Sequence, residues 1–378
     1  MVDLTVEIAG LKFRNPVLPA AGPPVRDGER IRRCVEGGAG GIVTKTISVK
    51  AADPLIPRPH MAEVKGGFLN MELWSELPPE AWFERELKIA REVTKAAGIP
   101  LIVSVGYKAE EISWLVENAD KYADAYEISV HYIGKDPTPM MEAVKAAKKS
   151  GKPVFLKLSP HPGIDPVLWA KKAIEAGADG ISAINSFGPV LALDLSTPLP
   201  DYLLKGLPVM GGPDGTGWLS GTAIKYLALK IVFDLYKEMP NIPILGVGGI
   251  STGRDAMEMI MVGASAVQVC TAAILQGHEI FGKIVKQLKI LMEKMGFNSV
   301  EELRGYTHKI WKQRWIRYVS TPPLYYPEKC TGCRLCEISC PYDAIKVVKG
   351  KAILYEDKCF GCGVCVTRCR FGALEMQY

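Results

Sequence analysis

Cysteines are the residues with the clearest chemistry in this 378-residue chain, since eight of its ten lie between Cys330 and Cys369. They form two runs of the spacing C-x2-C-x2-C-x3-C, the second beginning at Cys359. In such runs three close thiolates bind one 4Fe–4S cube and the fourth ligates the cube of the other run. The spacing therefore predicts two clusters. Their ligands would be Cys330, Cys333, Cys336 and Cys369 for one, and Cys340, Cys359, Cys362 and Cys365 for the other.

A structural zinc site is the alternative, because paired cysteines also bind zinc. Zinc ions need four ligands each and rarely occur with two tandem runs of this kind, so iron–sulfur clusters are favoured. Disulfides are not expected, because residues 1–10 lack the basic and then apolar pattern of a secretion signal. Arg370 follows the second run where proline is usual, a change that removes no ligand.

The composition is that of an ordinary globular protein, with 48% apolar and 23% charged residues and a net charge of +5 spread along the chain. The sequence contains no basic patch of the kind that predicts nucleic-acid binding, and no apolar stretch that is long enough to span a bilayer. We therefore expect a cytoplasmic protein that binds neither nucleic acid nor membrane.

Short apolar runs alternate with amphipathic stretches over residues 1–318, which predicts parallel strands with helical crossovers. Seven runs have the character of buried strands: 41–45, 101–105, 125–130, 154–158, 180–184, 244–247 and 266–270. Their number and spacing predict an α/β fold, a (β/α)8 TIM barrel. A linker over 319–327 and a small α+β domain of the bacterial two-cluster ferredoxin kind over 328–378 would follow.

Residues that directly follow the predicted strands are polar or glycine, and in a barrel those positions carry the chemistry. Lys45 and Lys157 each lie at the end of an apolar run, which is an expensive place for an unpaired cation. Late in the chain, Gly248-Gly249 and Cys270-Thr271 follow two strands where barrels often hold a phosphate through backbone N–H groups. Together these positions predict a phosphate-bearing cofactor.

Several motifs resemble one known family in combination. They are FLNMELWSE at 68–76, IVTKT at 42–46, FLKLSP at 155–160, LSGTAI at 219–224, GGI at 248–250 and VQVCT at 267–271. Over nearly the whole chain the sequence resembles the C-terminal half of dihydropyrimidine dehydrogenase. The wider group is the FMN barrels of the dihydroorotate dehydrogenase type. The resemblance implies FMN, two 4Fe–4S clusters and an oxidoreductase acting on CH–CH groups.

The same resemblance implies roles for individual residues. Lys157 would stabilise the anionic reduced flavin. The FMN-binding residues would be Ala21, Lys45, Thr46, Ser129, Lys157, Asn185, Ser220, Gly221, Gly248, Gly249, Cys270 and Thr271. The substrate would face Asn70, Glu72, Ser129, His131, Asn185 and Ser186. That substrate would be a small cyclic amide, such as a pyrimidine, or another enone, with hydride moving between FMN and a C=C bond conjugated to a carbonyl.

One departure from the family pattern concerns the proton donor. The family's loop reads ELNLSCP with a catalytic Cys, whereas residues 127–133 here read EISVHYI and place Tyr132 at that position. His131 or Tyr132 could act as the general acid, His131 being the easier donor near neutral pH. The equally weighted alternative is that neither residue acts as an acid and that the barrel binds a different ligand.

No G-x-G-x-x-G motif opens a helix after a strand, so the chain is not expected to bind NAD(P) itself. Clusters beside a two-electron flavin instead predict electron exchange with a partner. We expect a hetero-oligomer with an FAD- and NAD(P)-binding electron-transfer subunit, or electron exchange with a soluble ferredoxin. One alternative is an electron-transfer subunit whose barrel performs no substrate chemistry. Another, a dihydroorotate dehydrogenase, is disfavoured by the missing Cys and the appended clusters.

Overall fold

The computed structural model describes residues 2–52, 58–130, 136–195, 206–312 and 320–377. It divides into two compact units, Met1–Lys309 and Ile310–Tyr378. His131 and Tyr132 lie outside the described residues, as does the predicted domain boundary at 318–319.

The first unit is built on eight parallel strands that form a nearly closed barrel, which confirms the predicted fold. The strands are β3 (Val17–Pro19), β4 (Ile42–Val43), β7 (Leu101–Val105), β8 (Ala125–Ile128), β9 (Val154–Leu158), β10 (Gly180–Ala183), β15 (Ile244–Val247) and β16 (Ala266–Val269). Their order around the barrel is β3-β16-β15-β10-β9-β8-β7-β4. At the gap between the two end strands, Gly40, which lies two residues before β4, donates its N–H to the carbonyl of Val17 on β3 at 2.8 Å.

Helices follow most of these strands and cover the outside of the barrel. In this unit they are α1 (Gly28–Glu36), α2 (Pro79–Ala81), α3 (Leu87–Ala97), α4 (Ala109–Ala119), α5 (Thr138–Lys148), α6 (Pro166–Glu175), α7 (Lys225–Glu238), α8 (Gly253–Met261), α9 (Thr271–Gln276), α10 (Ile280–Met295) and α11 (Val300–Leu303). Their ends carry the expected caps: Asp27 accepts from the Arg30 N–H, and Gly98 ends α3 in the left-handed conformation. Helix α12 (Tyr306–Trp311) spans the division between the units.

The barrel interior consists of an apolar layer below a polar one. Seven strands each contribute one buried apolar residue to the lower layer: Leu18, Val43, Ile102, Ala125, Phe155, Leu245 and Ala266. Side chains two positions apart share a face of a strand, so the residue after next points into the same interior. On β8, β9 and β16 those residues are Glu127, Lys157 and Gln268. The alternation places charged groups directly above a packed apolar floor.

An N-terminal hairpin closes the lower end of the barrel. Strands β1 (Val6–Ile8) and β2 (Leu11–Phe13) pair in antiparallel register, and their Ile8 and Phe13 pack into the apolar layer. With its floor filled in this way, the barrel offers ligands the carboxyl ends of its strands, where barrel sites lie.

A second sheet lies among the segments that follow the barrel strands. Its antiparallel order is β11-β14-β6-β5, from β5 (Met61–Val64), β6 (Gly67–Asn70), β11 (Phe187–Leu191) and β14 (Thr216–Ser220). A short pair, β12 (Leu193–Asp194) and β13 (Leu207–Pro208), adjoins it in sequence. This sheet joins segments about 150 residues apart, since Asn70 pairs with Trp218.

The second unit contains two similar halves. One holds α13 (Leu335–Ile338) and the hairpin of β18 (Ile345–Val348) with β19 (Lys351–Leu354), and the other holds α14 (Val364–Arg368). Strand β17 (Leu324–Tyr325) pairs with β20 (Leu374–Glu375), which joins the two ends of the unit. Its small core comprises Cys336, Ile345, Ala352 and Leu374.

Among the residues that the structure describes, no helix has the length and apolar character needed to cross a membrane.

We expect Phe155→Ala to destabilise the barrel strongly. The ring is fully buried in the lower layer, and its loss would leave a cavity costing about 3–5 kcal/mol in free energy of unfolding. Leu168→Ala on α6 is the matched control, because this side chain is 50% exposed and its truncation should cost about 0.5 kcal/mol or less. Guanidinium unfolding of both variants measures the difference; equal stabilities would contradict the assigned packing.

Candidate functional site

A cavity of about 590 Å³ opens at the carboxyl ends of the barrel strands, within the size range of cofactor sites. All twelve predicted FMN-binding residues line it: Ala21, Lys45, Thr46, Ser129, Lys157, Asn185, Ser220, Gly221, Gly248, Gly249, Cys270 and Thr271. The predicted substrate residues Asn70, Glu72 and Ser186 line it as well. The barrel thus brings together every predicted site residue of this unit that the structure describes.

Lys157 reaches this cavity from the polar layer of the barrel interior. Its ammonium nitrogen Nζ lies 3.5 Å from Glu127 Oε1 and donates to Gln268 Oε1 at 3.2 Å. The Glu127 carboxylate in turn accepts from the Ser182 hydroxyl at 2.6 Å and from the Gln268 amide at 2.7 Å. Glu127 is fully buried, and Lys157 is exposed only at the cavity surface. The result is a hydrogen-bonded cation at a fixed position.

A second ion pair lies at the cavity wall, between Lys45 and Glu72. Lys45 Nζ lies 2.8 Å from Glu72 Oε1 and 3.5 Å from Glu76 Oε1. Burial raises the pKa of the Glu72 carboxyl, and the Lys45 ammonium opposes that rise. The next residue, Thr46, shares a hydrogen bond of 2.9 Å with the Ser104 hydroxyl.

Another part of the cavity wall is made of glycines and hydroxyls. Ser220 and Thr271 share a hydrogen bond of 2.9 Å between their hydroxyls. Gly221 and Gly249 have φ values of +77° and +75°, and a Cβ on Gly249 would come within 2.5 Å of the Lys225 Cβ. Side chains are therefore disfavoured here, which leaves backbone N–H groups accessible to an anion.

Cys270, in the same part of the wall, carries no charge near neutral pH. Burial raises the pKa of its thiol to about 12. A neutral thiol does not repel a phosphate, so this end of the cavity fits the phosphate of a flavin mononucleotide.

The antiparallel sheet supplies the wall that holds Asn70. Its side-chain amide donates to the Trp218 carbonyl at 3.1 Å, and its Oδ1 accepts from the Glu72 N–H at 3.3 Å. Asn185, which follows β10, also lines the cavity, and its Oδ1 accepts from the Ser186 N–H at 2.9 Å. Two amide side chains thus face one space, as recognition of a ring with carbonyl and N–H groups requires.

Several residues of this site had no role predicted from the sequence. Gln268 and Glu127 were not assigned roles, although both fall within quoted motifs. Each lies two positions after a strand residue that points into the barrel, and this spacing indicates that its own side chain points into the barrel as well. Trp218 and the adjacent rings of Trp74 and Tyr107, whose centroids lie 4.9 Å apart, also line the cavity. Their contribution depends on long-range pairing that no local pattern indicates.

In the second unit the eight cysteines of the two runs line two separate small cavities. Cys330, Cys333 and Cys336 share the first with Cys369. Cys359, Cys362 and Cys365 share the other with Cys340. These are the two ligand sets that the spacing predicts, each completed by a cysteine from the other half. In the described part of the chain, no group of three or more His, Cys, Asp or Glu is arranged for a single metal ion.

Backbone N–H groups point at several of these sulfur atoms. Ala344 donates to Cys340 Sγ at 3.3 Å, and Ala373 donates to Cys369 Sγ at 3.2 Å. Such bonds stabilise thiolates and raise the reduction potential of a bound cluster. Gly361, with φ of +66°, donates to Cys359 Sγ and approaches the Thr321 backbone too closely for a side chain.

The barrel with its lined cavity and the cysteine-rich unit define a class, an iron–sulfur flavoprotein oxidoreductase. Comparison with known families agrees. Residues 3–292 match the dihydroorotate dehydrogenase family, and residues 329–373 match the 4Fe-4S dicluster domain.

Curated relatives point to the same family. The chain is 36% identical over 317 residues to the dihydroorotate dehydrogenase B (NAD(+)) catalytic subunit of Methanothermobacter thermautotrophicus, covering 81% of this chain and 98% of the relative. The protein of that name from Pyrococcus furiosus is 34% identical over 326 residues, covering 82% and 100%. The chain therefore belongs to the dihydroorotate dehydrogenase family of FMN oxidoreductases, with a 4Fe–4S domain added. The wider resemblance is confirmed; the narrower one, to dihydropyrimidine dehydrogenase, is not specifically supported by these relatives.

We expect cysteines that are distant in sequence to affect the same cluster. Cys369→Ala and Cys333→Ala should alter one electron paramagnetic resonance signal of the dithionite-reduced protein, because both line one cavity. Cys340→Ala and Cys362→Ala should alter the other.

The control for these variants is Cys34→Ala, which changes a buried cysteine of the barrel unit and should leave both signals intact. The pairing would be wrong if Cys369→Ala altered the same signal as Cys362→Ala.

Proposed function

We propose that the barrel binds FMN and transfers hydride between the flavin and a C=C bond conjugated to a carbonyl in a small cyclic amide. The main observation behind this proposal is the cavity. It is lined by a buried cation, Lys157, and by a glycine-rich end suited to a phosphate. The residues fit the cofactor: Lys157 would lie at the flavin edge that becomes anionic, and Gly221, Gly248 and Gly249 at its phosphate. When bound, FMN supplies hydride transfer.

The charges of the cavity favour an uncharged substrate. Among the described residues that line it, Lys45 and Lys157 are the cations, and each is already paired with a carboxylate. A substrate carboxylate would also share the cavity with the Glu72 and Glu63 carboxylates. By contrast, a neutral ring can donate N–H groups to a carboxylate and accept from amides. This supports a neutral pyrimidine such as uracil or thymine.

Dihydroorotate, which carries a carboxylate, is the second candidate. It is favoured by the relatives, which are named as dihydroorotate dehydrogenases. The third candidate is an electron-transfer subunit whose barrel holds the flavin and performs no substrate chemistry.

We further propose that two 4Fe–4S clusters relay single electrons between the flavin and a partner protein. The separate cavities of the second unit, each lined by four cysteines, support the number two. The relatives are named as the catalytic subunit of an NAD(+) enzyme, which supports a partner that binds FAD and NAD(P). A soluble ferredoxin is the other candidate partner.

We expect the anaerobic, dithionite-reduced protein to recover its flavin absorbance when uracil or thymine is added, and not with orotate. Asn70→Ala and Asn185→Ala should abolish this reoxidation while FMN stays bound, because both amides face the substrate space. Leu168→Ala, on the outer helix α6, is the control and should behave like the wild type.

The outcomes separate the candidates. Reoxidation by orotate alone would identify a dihydroorotate enzyme, and none with any of the three would favour the electron-transfer role. A purified protein without flavin would contradict the barrel assignment.

We expect Glu72→Gln to improve orotate binding by about tenfold, or roughly 1.4 kcal/mol, because it removes the nearer of the two carboxylates that neutralise Lys45 and leaves Glu76 at 3.5 Å. Flavin difference spectra during orotate titration measure the change. Glu63→Gln is the matched control, since Glu63 lines the same cavity but is exposed to solvent and should have a smaller effect. Equal effects of the two variants would contradict a specific role for the Lys45–Glu72 pair.

A further inference from the structure

Glu127 is a fully buried carboxylate that the proposed chemistry does not use. It does not line the cavity, whereas its neighbours Lys157 and Gln268 do. A buried carboxylate costs several kcal/mol unless charges and hydrogen bonds compensate it. Its presence beneath the cavity therefore needs an explanation beyond packing.

Both carboxylate oxygens of Glu127 have partners in the barrel interior. The Ser182 hydroxyl and the Gln268 amide donate to Oε2 at 2.6 and 2.7 Å, while Oε1 faces the Lys157 ammonium at 3.5 Å. Each carboxylate oxygen thus has a donor or a cation, as ionised carboxylates require. Gln268 also bridges the two charges, since its Oε1 accepts from Lys157 at 3.2 Å.

Other titratable groups that act on the same region are Lys45, Glu72 and Cys270. Lys45 and Glu72 pair with each other at 2.8 Å. Cys270 is a neutral thiol near neutral pH, because burial raises its pKa to about 12. Glu127 is therefore the counter-charge in hydrogen-bonding range of Lys157 among the described residues.

We propose that Glu127 is a positioning residue that keeps Lys157 positively charged in both the oxidised and the reduced states of the bound flavin. This inference rests on the proposed function, because it takes the flavin to lie at Lys157. A buried ammonium without a counter-ion tends to lose its proton, and a nearby carboxylate retains it. Lys157 then offers a permanent positive charge where the reduced flavin becomes anionic.

The proposal fixes the number of protons taken up when the flavin is reduced. With two electrons from dithionite, the wild-type protein takes up one proton, at flavin N5, because Lys157 already holds its own. In Glu127→Gln we expect Lys157 to be neutral beside the oxidised flavin. Reduction then makes the flavin anionic and Lys157 takes up a proton, so the variant takes up two protons in all. A tenfold change in proton concentration corresponds to about 30 mV for one proton and about 60 mV for two in a two-electron couple.

The experiment is a redox titration of the flavin in the holoprotein between about pH 6 and pH 9, below the ordinary range of lysine titration. We expect the midpoint potential of the wild type to fall by about 30 mV per pH unit and that of Glu127→Gln by about 60 mV. The absorbance spectrum of the reduced flavin should be that of the anion in both, which places the second proton on the protein.

A rescue variant separates charge from structure. Arginine stays protonated without a counter-ion, so Glu127→Gln combined with Lys157→Arg should return the slope to about 30 mV per pH unit. A merely structural role for Glu127 would change stability or flavin content and leave the slope unchanged.

Several results would overturn the proposal. These are a slope of about 60 mV per pH unit in the wild type, an unchanged slope in Glu127→Gln, or a neutral reduced flavin in that variant. If Glu127→Gln fails to fold, the wild-type slope alone decides between one proton and two. A wild-type protein that binds no flavin would overturn the proposed function itself, and this inference with it.

Discussion

The structure of the barrel unit depends on burying ionised groups without leaving any of them uncompensated. Lys157 and Glu127 lie on neighbouring strands just above a floor of apolar side chains, where a single unpaired charge would cost several kcal/mol. Gln268 and Ser182 complete the network from two further strands. Because four strands contribute, the network forms only when the barrel has closed, so fold and site are mutually dependent.

The second unit satisfies a comparable constraint with a different chemistry. Sulfur ligands must surround each proposed cluster, and the fold brings Cys369 to the cavity of the first half and Cys340 to the cavity of the second. Pairing of β17 with β20 and a core that includes Cys336 hold the halves together. The proposed clusters therefore contribute to folding as well as to electron transfer, since metal–ligand binding in a small unit is folding free energy.

Strands with long apolar runs were predicted well, because a strand that is buried on both faces appears in the sequence as a continuous apolar run. Strands β7, β9 and β15 have the predicted bounds. Strand β3, only Val17–Pro19, was missed because three residues carry no periodicity. The antiparallel sheet that holds Asn70 was also missed, since its pairing with Trp218 depends on chain segments far apart in sequence. Most candidate site residues were nevertheless found, because barrels place them directly after their strands.

By itself, the sequence determined the cysteine spacing and hence the ligand chemistry, as well as the strand–helix alternation and hence the barrel. These are local properties that can be recognised within a few residues or within one βα unit. Only the tertiary structure decided which charges meet: that Lys45 pairs with Glu72, and that Lys157 pairs with Glu127. The physical reason is that an ion pair depends on distance in space, and residues this far apart in sequence come within hydrogen-bonding range only through the tertiary fold, which includes strand register and barrel closure.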